Sequence, residues 1–134
     1  MRPRLYQAAG MTQPLALVLY EKLLPGSQLV NRLQDINYRV QAIADADRLV
    51  ECAEQAKPMV VLADLQSTRN NVNAAIARLK QNAATKHIPV IAFSGESTGE
   101  LQTAARAAGA NLVVTDTAIL THLPQFLDQA LQLE

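Results

Sequence analysis

Tryptophan is absent from this chain of 134 residues, aromatic side chains make up 4% of it, and Cys52 is its only cysteine. A single cysteine excludes an internal disulfide, so the fold must be held by packing rather than by cross-links. Cys52 falls at an apolar-compatible position of a helical segment and reads as a small buried side chain rather than a reactive thiol. An excess of one charge is missing too, since twelve Lys and Arg balance twelve Asp and Glu. Neither sign forms a run, so there is no basic stripe for a phosphate backbone and nucleic acid is excluded as a direct partner. No segment reaches the roughly 18 apolar residues of a membrane span, and the stretch around Arg2 and Arg4 lacks the apolar core of a signal peptide. These absences predict a cytoplasmic protein with no membrane contact. Residues 1–12 precede the first patterned segment and are expected to form a flexible leader.

What is present is apolar and periodic. Hydrophobic residues are 49% of the chain and charged ones 18%, which suits a packed core and not a disordered segment. The length suits one domain, over residues 13–134, that buries about two-thirds of its unfolded surface. LALVLY, from Leu15 to Tyr20, is the short apolar run of a strand covered on both faces. Pro25 suits the first turn of a helix that carries Leu29, Val30, Leu33 and Ile36 inward and stops at Asn37. Tyr38, Val40, Ala42 and Ala44 alternate with polar residues, as in an edge strand exposed on one side. Asp45 caps a second helix with Leu49, Val50, Ala53 and Ala56 inward, and Lys57-Pro58 breaks it.

Met59 to Ala63 is a third apolar strand, which delivers Asp64 to its carboxyl end. A polar loop, Gln66 to Asn71, leads to a helix with Val72, Ala75, Ile76 and Leu79 on one face. Pro89 to Phe93 is the fourth strand, followed at once by Ser94. Ser97 and Glu100 have the spacing of a capping box for a fourth helix, which buries Leu101, Ala104, Ala105 and Ala108 and ends at Gly109. Leu112 to Thr115 is the fifth strand, and Leu123, Phe126, Leu127, Ala130 and Leu131 face inward from a fifth helix. Leu17, Val61, Leu62 and Ile91 are the expected centre of the core.

Five strands alternating with five helices predict an α/β fold: a three-layer, doubly wound parallel sheet of order 2-1-3-4-5. The functional crevice of such a sheet lies beyond the carboxyl ends of its central strands. Tyr20 and Glu21, Asp64, Ser94 and Asp116 are therefore expected to converge there. Three carboxylates that close oppose one another's ionisation, so Glu21, Asp64 and Asp116 must share a proton, stay wet or recruit a cation. Mg²⁺ or Ca²⁺ would suit such oxygens, with Ser94 as an added ligand.

The pattern resembles the receiver (CheY-like) domain of bacterial response regulators over nearly the whole chain. KPMVVLADL resembles the family's third strand and phosphoacceptor aspartate. HIPVIAFSG resembles its fourth strand and hydroxyl residue, and AARAAGANLVVTD its fourth helix, glycine and fifth strand. The resemblance implies that Asp64 is the phosphoacceptor position, Ser94 the hydroxyl that binds a phosphoryl oxygen, and Glu21 one of the paired acids that hold Mg²⁺ with Asp64. The chain departs from the family at Tyr20, in place of the other acid, at Asp116, in place of a lysine, and at Thr117, in place of a proline. Val113 stands where the family often has an aromatic switch residue.

These departures bear on chemistry, because transferring a phosphoryl group to a carboxylate needs Mg²⁺ and a fixed cation to offset accumulating charge. Lysine to aspartate changes the local charge by two units. One unit pair at about 4 Å is worth roughly 4 kcal/mol at an effective dielectric of about 20, against about 1.4 kcal/mol per tenfold in rate. Efficient phosphorylation is not expected, and Asp64 can serve as a polar strand end bonded to loop amides.

The loop from Ser94 to Gly99 superficially resembles a phosphate or flavin cradle, but Glu96 and Glu100 oppose an anion and the capping box explains the loop. His87 and His122 have no second ligand at metal spacing and are expected on the surface. Three functions thus remain: a stand-alone pseudo-receiver that signals by protein contact, a phosphorylatable single-domain response regulator using Asp64, and a flavodoxin-like cofactor binder or small enzyme. The first is the leading expectation: no enzyme, no required cofactor, and a signalling partner such as a histidine kinase or a separate output protein, with a homodimer left open. After Asp116 the chain has room for a connection and one helix, so no fused output domain is expected.

Overall fold

A computed structural model of the chain describes residues 13–21, 23–66, 71–95 and 99–132. The leader expected over residues 1–12, Ser97 of the capping box and the middle of the loop after Gln66 lie outside the described residues. Five strands, β1 (Leu15–Leu19), β2 (Arg39–Ile43), β3 (Val60–Asp64), β4 (Val90–Ser94) and β5 (Leu112–Thr115), alternate with helices. These are α1 (Leu23–Asp35), α2 (Leu49–Ala56), α3 (Val72–Gln81), α4 (Gly99–Ala108), α5 (Asp116–Thr121) and α6 (Leu123–Gln132), with a 3₁₀ turn over Ala46–Arg48 before α2. All strand pairs are parallel and the order is β2-β1-β3-β4-β5. Fold class and strand order are those the alternation predicts.

The sheet separates two apolar layers. Leu17, Leu19, Val61, Ala63, Val90 and Ala92 face α2, α3 and α4, and pack with Leu49, Ala53, Ile76 and Leu79. Ala16, Val18, Val60, Leu62, Ile91 and Phe93 point to the other side and pack with Leu29, Leu33, Ile119, Leu123 and Leu127. Successive strand residues enter opposite layers because a strand has a period of two. That is why β1, β3 and β4 read as unbroken apolar runs. Leu17, Val61, Leu62 and Ile91 are fully buried, as expected, and Cys52 is buried in the first layer.

Local stops follow from side-chain chemistry. Asn37 and Lys57 take left-handed backbone angles after α1 and α2, with φ of 70° and 51°, and the Lys57 N–H bonds the Ala53 carbonyl. Gly109 ends α4 with φ of 113°. Asp45 caps the 3₁₀ turn by accepting from the Asp47 N–H at 2.9 Å, so the expected cap acts one turn ahead of α2. Asn71 caps α3 by accepting from the Ala74 N–H at 3.0 Å.

Several expectations need correction. Strand β3 begins at Val60, leaving Met59 outside it and 48% exposed. Ile36 lies beyond α1 and is exposed, because the helix ends one residue before it. Strand β2 is at the edge but is not bare on one face: Tyr38 and Val40 pack into one layer and Ile43 into the other, while Ala42 is exposed. Helix α4 buries Ala105 but leaves Ala104 exposed. The segment after β5 forms two helices rather than one, because Thr115 caps Asp116–Thr121 by accepting from the Ala118 N–H at 3.1 Å.

Tyr38 provides a pH signature of the second layer. Burial raises its phenol pKa above the ordinary value of 10.0, and the Asp128 carboxylate raises it further. A raised folded-state value means that this contribution to stability is complete below about pH 10 and is lost as pH rises through the folded value. Urea denaturation at alkaline pH should therefore weaken the native protein more than Tyr38→Phe. Parallel losses in the two proteins would contradict this.

Candidate functional site at the carboxyl edge of the sheet

The strand register sets out the carboxyl edge as a staircase. Leu19 is level with Ala63, Asp64 with Phe93, and Ser94 with Thr115. Tyr20 thus falls level with Asp64, Ser94 stands one residue further out on β4, and Asp116 one further out after β5. The topology places all five expected positions, Tyr20, Glu21, Asp64, Ser94 and Asp116, along this edge.

Their environments differ. Asp64 is the last residue of β3, 4% exposed, and its Oδ1 accepts from the Gln66 N–H at 2.9 Å. This is the loop-amide bond expected of a polar strand end. Ser94 closes β4 and is fully buried; its Oγ accepts from Gln102 Nε2 at 3.3 Å and donates to the Gly95 carbonyl at 3.4 Å. Glu21 is half-buried at the bend after β1.

Tyr20 has a structural use. Its backbone N–H bonds the Ile43 carbonyl at 3.0 Å, and its ring joins the apolar layer beneath α1. A Cβ placed on Gly26 would run into the Tyr20 ring at Cδ2. The ring thus occupies the space above a glycine in α1, a close approach that any larger residue would block.

Asp116 opens α5, half-buried, instead of lying in a loop. A carboxylate in a first helical turn complements the free N–H groups there. Among the described residues, no group of three or more His, Cys, Asp and Glu side chains could hold a metal ion. Of the outcomes open to Glu21, Asp64 and Asp116, a cation held by all three together therefore has no support among the described residues. His87 and His122 are exposed, and His122 sets its ring edge-on to Phe126 at 6.3 Å.

Two residues at this edge escaped sequence reasoning. The Gln66 side chain accepts from the Gly95 N–H through Oε1 at 2.7 Å, and Gln102 reaches Ser94 from α4. No local pattern marks either one, since a glutamine in a polar loop and another on a helix are ordinary until the fold brings them to β4.

No protein-family model matches the sequence, and no curated protein does. Solved structures do match. The receiver domain of sensor histidine kinase PA1611 from Pseudomonas aeruginosa PAO1, which has a magnesium ion coordinated in its active site cleft, superposes with a TM-score of 0.81 at 17% identity, covering 90% of this chain and 99% of that one. The receiver domain of NtrX from Brucella abortus gives 0.77 at 21% identity, covering 89% and 99%. Chemotaxis protein CheY4 from Vibrio cholerae gives 0.78 at 18% identity, covering 89% and 99%. With this sheet order, this coverage and these neighbours, the chain has the fold of the response-regulator receiver domains.

Proposed function

We propose that the protein is a pseudo-receiver: a non-enzymatic module of two-component signalling that recognises a protein partner without a cycle of aspartyl phosphorylation. The observation that carries this reading is Asp116, a carboxylate opening a helix at the end of β5, where receiver domains resembling this chain have a lysine. With negative charge there, a phosphoryl group arriving at Asp64 lacks its offsetting cation. The Asp64 carboxylate is instead bonded to its own loop. Partners that fit are a histidine kinase or a separate output protein.

Mg²⁺ is the one cofactor this edge suits, and the role proposed does not require it. Mg²⁺ is commonly held by one or two carboxylates with water completing its shell, and Glu21 and Asp64 are the pair that could supply them. The same pair, with buried Ser94, favours a second reading, a phosphorylatable single-domain regulator using Asp64.

Native protein and Asp64→Ala, used as paired baits in lysate of the source cell, separate the two readings. The pseudo-receiver reading expects the same partner to be retained by both baits to within about twofold, since a change in affinity of that size is under about 0.5 kcal/mol. Retention by the native bait alone would favour the phosphorylatable regulator.

A further inference from the structure

Side-chain carboxamides converge on the junction between β4 and α4. The last rung of the β3–β4 ladder is the Leu65 N–H on the Phe93 carbonyl at 2.9 Å. The Gln66 side chain meets β4 just past it: its Oε1 accepts from the Gly95 N–H at 2.7 Å, while the Gln66 backbone N–H donates to Asp64 Oδ1 at 2.9 Å. From the opposite side, Gln102 in α4 donates to the buried Ser94 hydroxyl at 3.3 Å. Asn73 in α3 also reaches α4, donating to the Leu101 carbonyl at 3.4 Å.

We propose that Gln66 and Gln102 form a latch that ties the carboxyl end of β4 to the end of β3 on one side and to α4 on the other, with no group added to Asp64. The bonds tie the end of β3 to the start of the loop after β4, and the end of β4 back to the first turns of α4. Carboxamides carry no charge and do not titrate, so the latch keeps its donors and acceptors across the pH range of the folded protein. The start of α4 is thereby offered to a partner in a fixed form. That last consequence rests on the pseudo-receiver reading, whereas the latch itself does not.

The test is amide hydrogen exchange followed by NMR on the full chain, comparing native protein with Gln66→Met, Gln102→Met and the double variant. Methionine keeps the length and removes the amide. In Gln66→Met, exchange at Gly95 should accelerate by about tenfold, as expected for one lost hydrogen bond, while Leu62 and Ala92 in the sheet keep their protection. In the double variant, resonances of Leu101 and Gln102 at the start of α4 should also shift or broaden. Unchanged protection of Gly95 in Gln66→Met would overturn the latch. So would an equal loss at Leu62 and Ala92, because the variant would then have weakened the whole sheet. Phosphorylation of the native protein would remove the pseudo-receiver reading and leave this exchange result standing.

Discussion

Replacing Leu62 by alanine should lower the free energy of unfolding by about 2 to 5 kcal/mol, the range for emptying a packed leucine site. Leu62 is fully buried in the central strand, level with Val18 on β1 and Ile91 on β4. Its side chain enters the layer formed with Leu29, Leu33, Phe93, Ile119 and Leu127. That layer draws on β1, β3, β4, α1, α5 and α6, so the void cannot close by moving a single loop. Chemical denaturation measures the loss as a lower midpoint with an unchanged slope. An unmoved midpoint would mean that β3 is not the centre of the sheet.

Gly26→Ala should also destabilise, for the opposite reason. An alanine in a helix interior normally stabilises by about 1 kcal/mol relative to glycine. Here its Cβ would overlap Cδ2 and Cγ of the Tyr20 ring. Those atoms lie near the root of a rigid ring, which must swing away from the layer or push α1 off the sheet. Overpacking of this kind costs about 1 to 3 kcal/mol, enough to outweigh the helical gain. In a Tyr20→Ala background the obstruction is gone, and Gly26→Ala should become neutral or stabilising. The double-mutant cycle then reads the coupling directly. Additive effects would show that the ring and the glycine do not meet.

The same pair shows where sequence reading stops. Tyr20 is legible as a departure from the acid expected in a receiver, but its use is not, because nothing local links the end of a strand to a glycine in the next helix. β1, β3 and β4 were legible because strands covered on both faces are apolar throughout. β2 is not legible in full, because its alternation is that of a strand bare on one side, yet Ile43 joins the layer opposite Val40. The stripe of α4 was blurred because it is built from alanines, which cost little on either face, so Ala104 could as well be out as in. α5 is separate from α6 in the fold, and its cap, Thr115 with the Ala118 N–H, has the ordinary spacing of a helix start. At the site, Asp64 and Ser94 were legible as strand ends. Gln66 and Gln102 were not, since their partners are separated from them by whole elements.

The claim that Asp64 is not efficiently phosphorylated is most directly tested by the intact mass of the native protein after incubation with acetyl phosphate or phosphoramidate and Mg²⁺. Asp64 is buried at the end of β3 and bonded to the Gln66 N–H, and Asp116 stands on the same edge as the first residue of α5. Mg²⁺ could be drawn to Glu21 and Asp64, but position 116 on this edge carries a carboxylate in place of the cation that would offset the charge accumulating on the phosphoryl group. The expected result is a mass that stays largely unchanged. A stoichiometric gain of one phosphoryl group, abolished by Asp64→Ala, would contradict the pseudo-receiver reading and make the protein a phosphorylatable regulator.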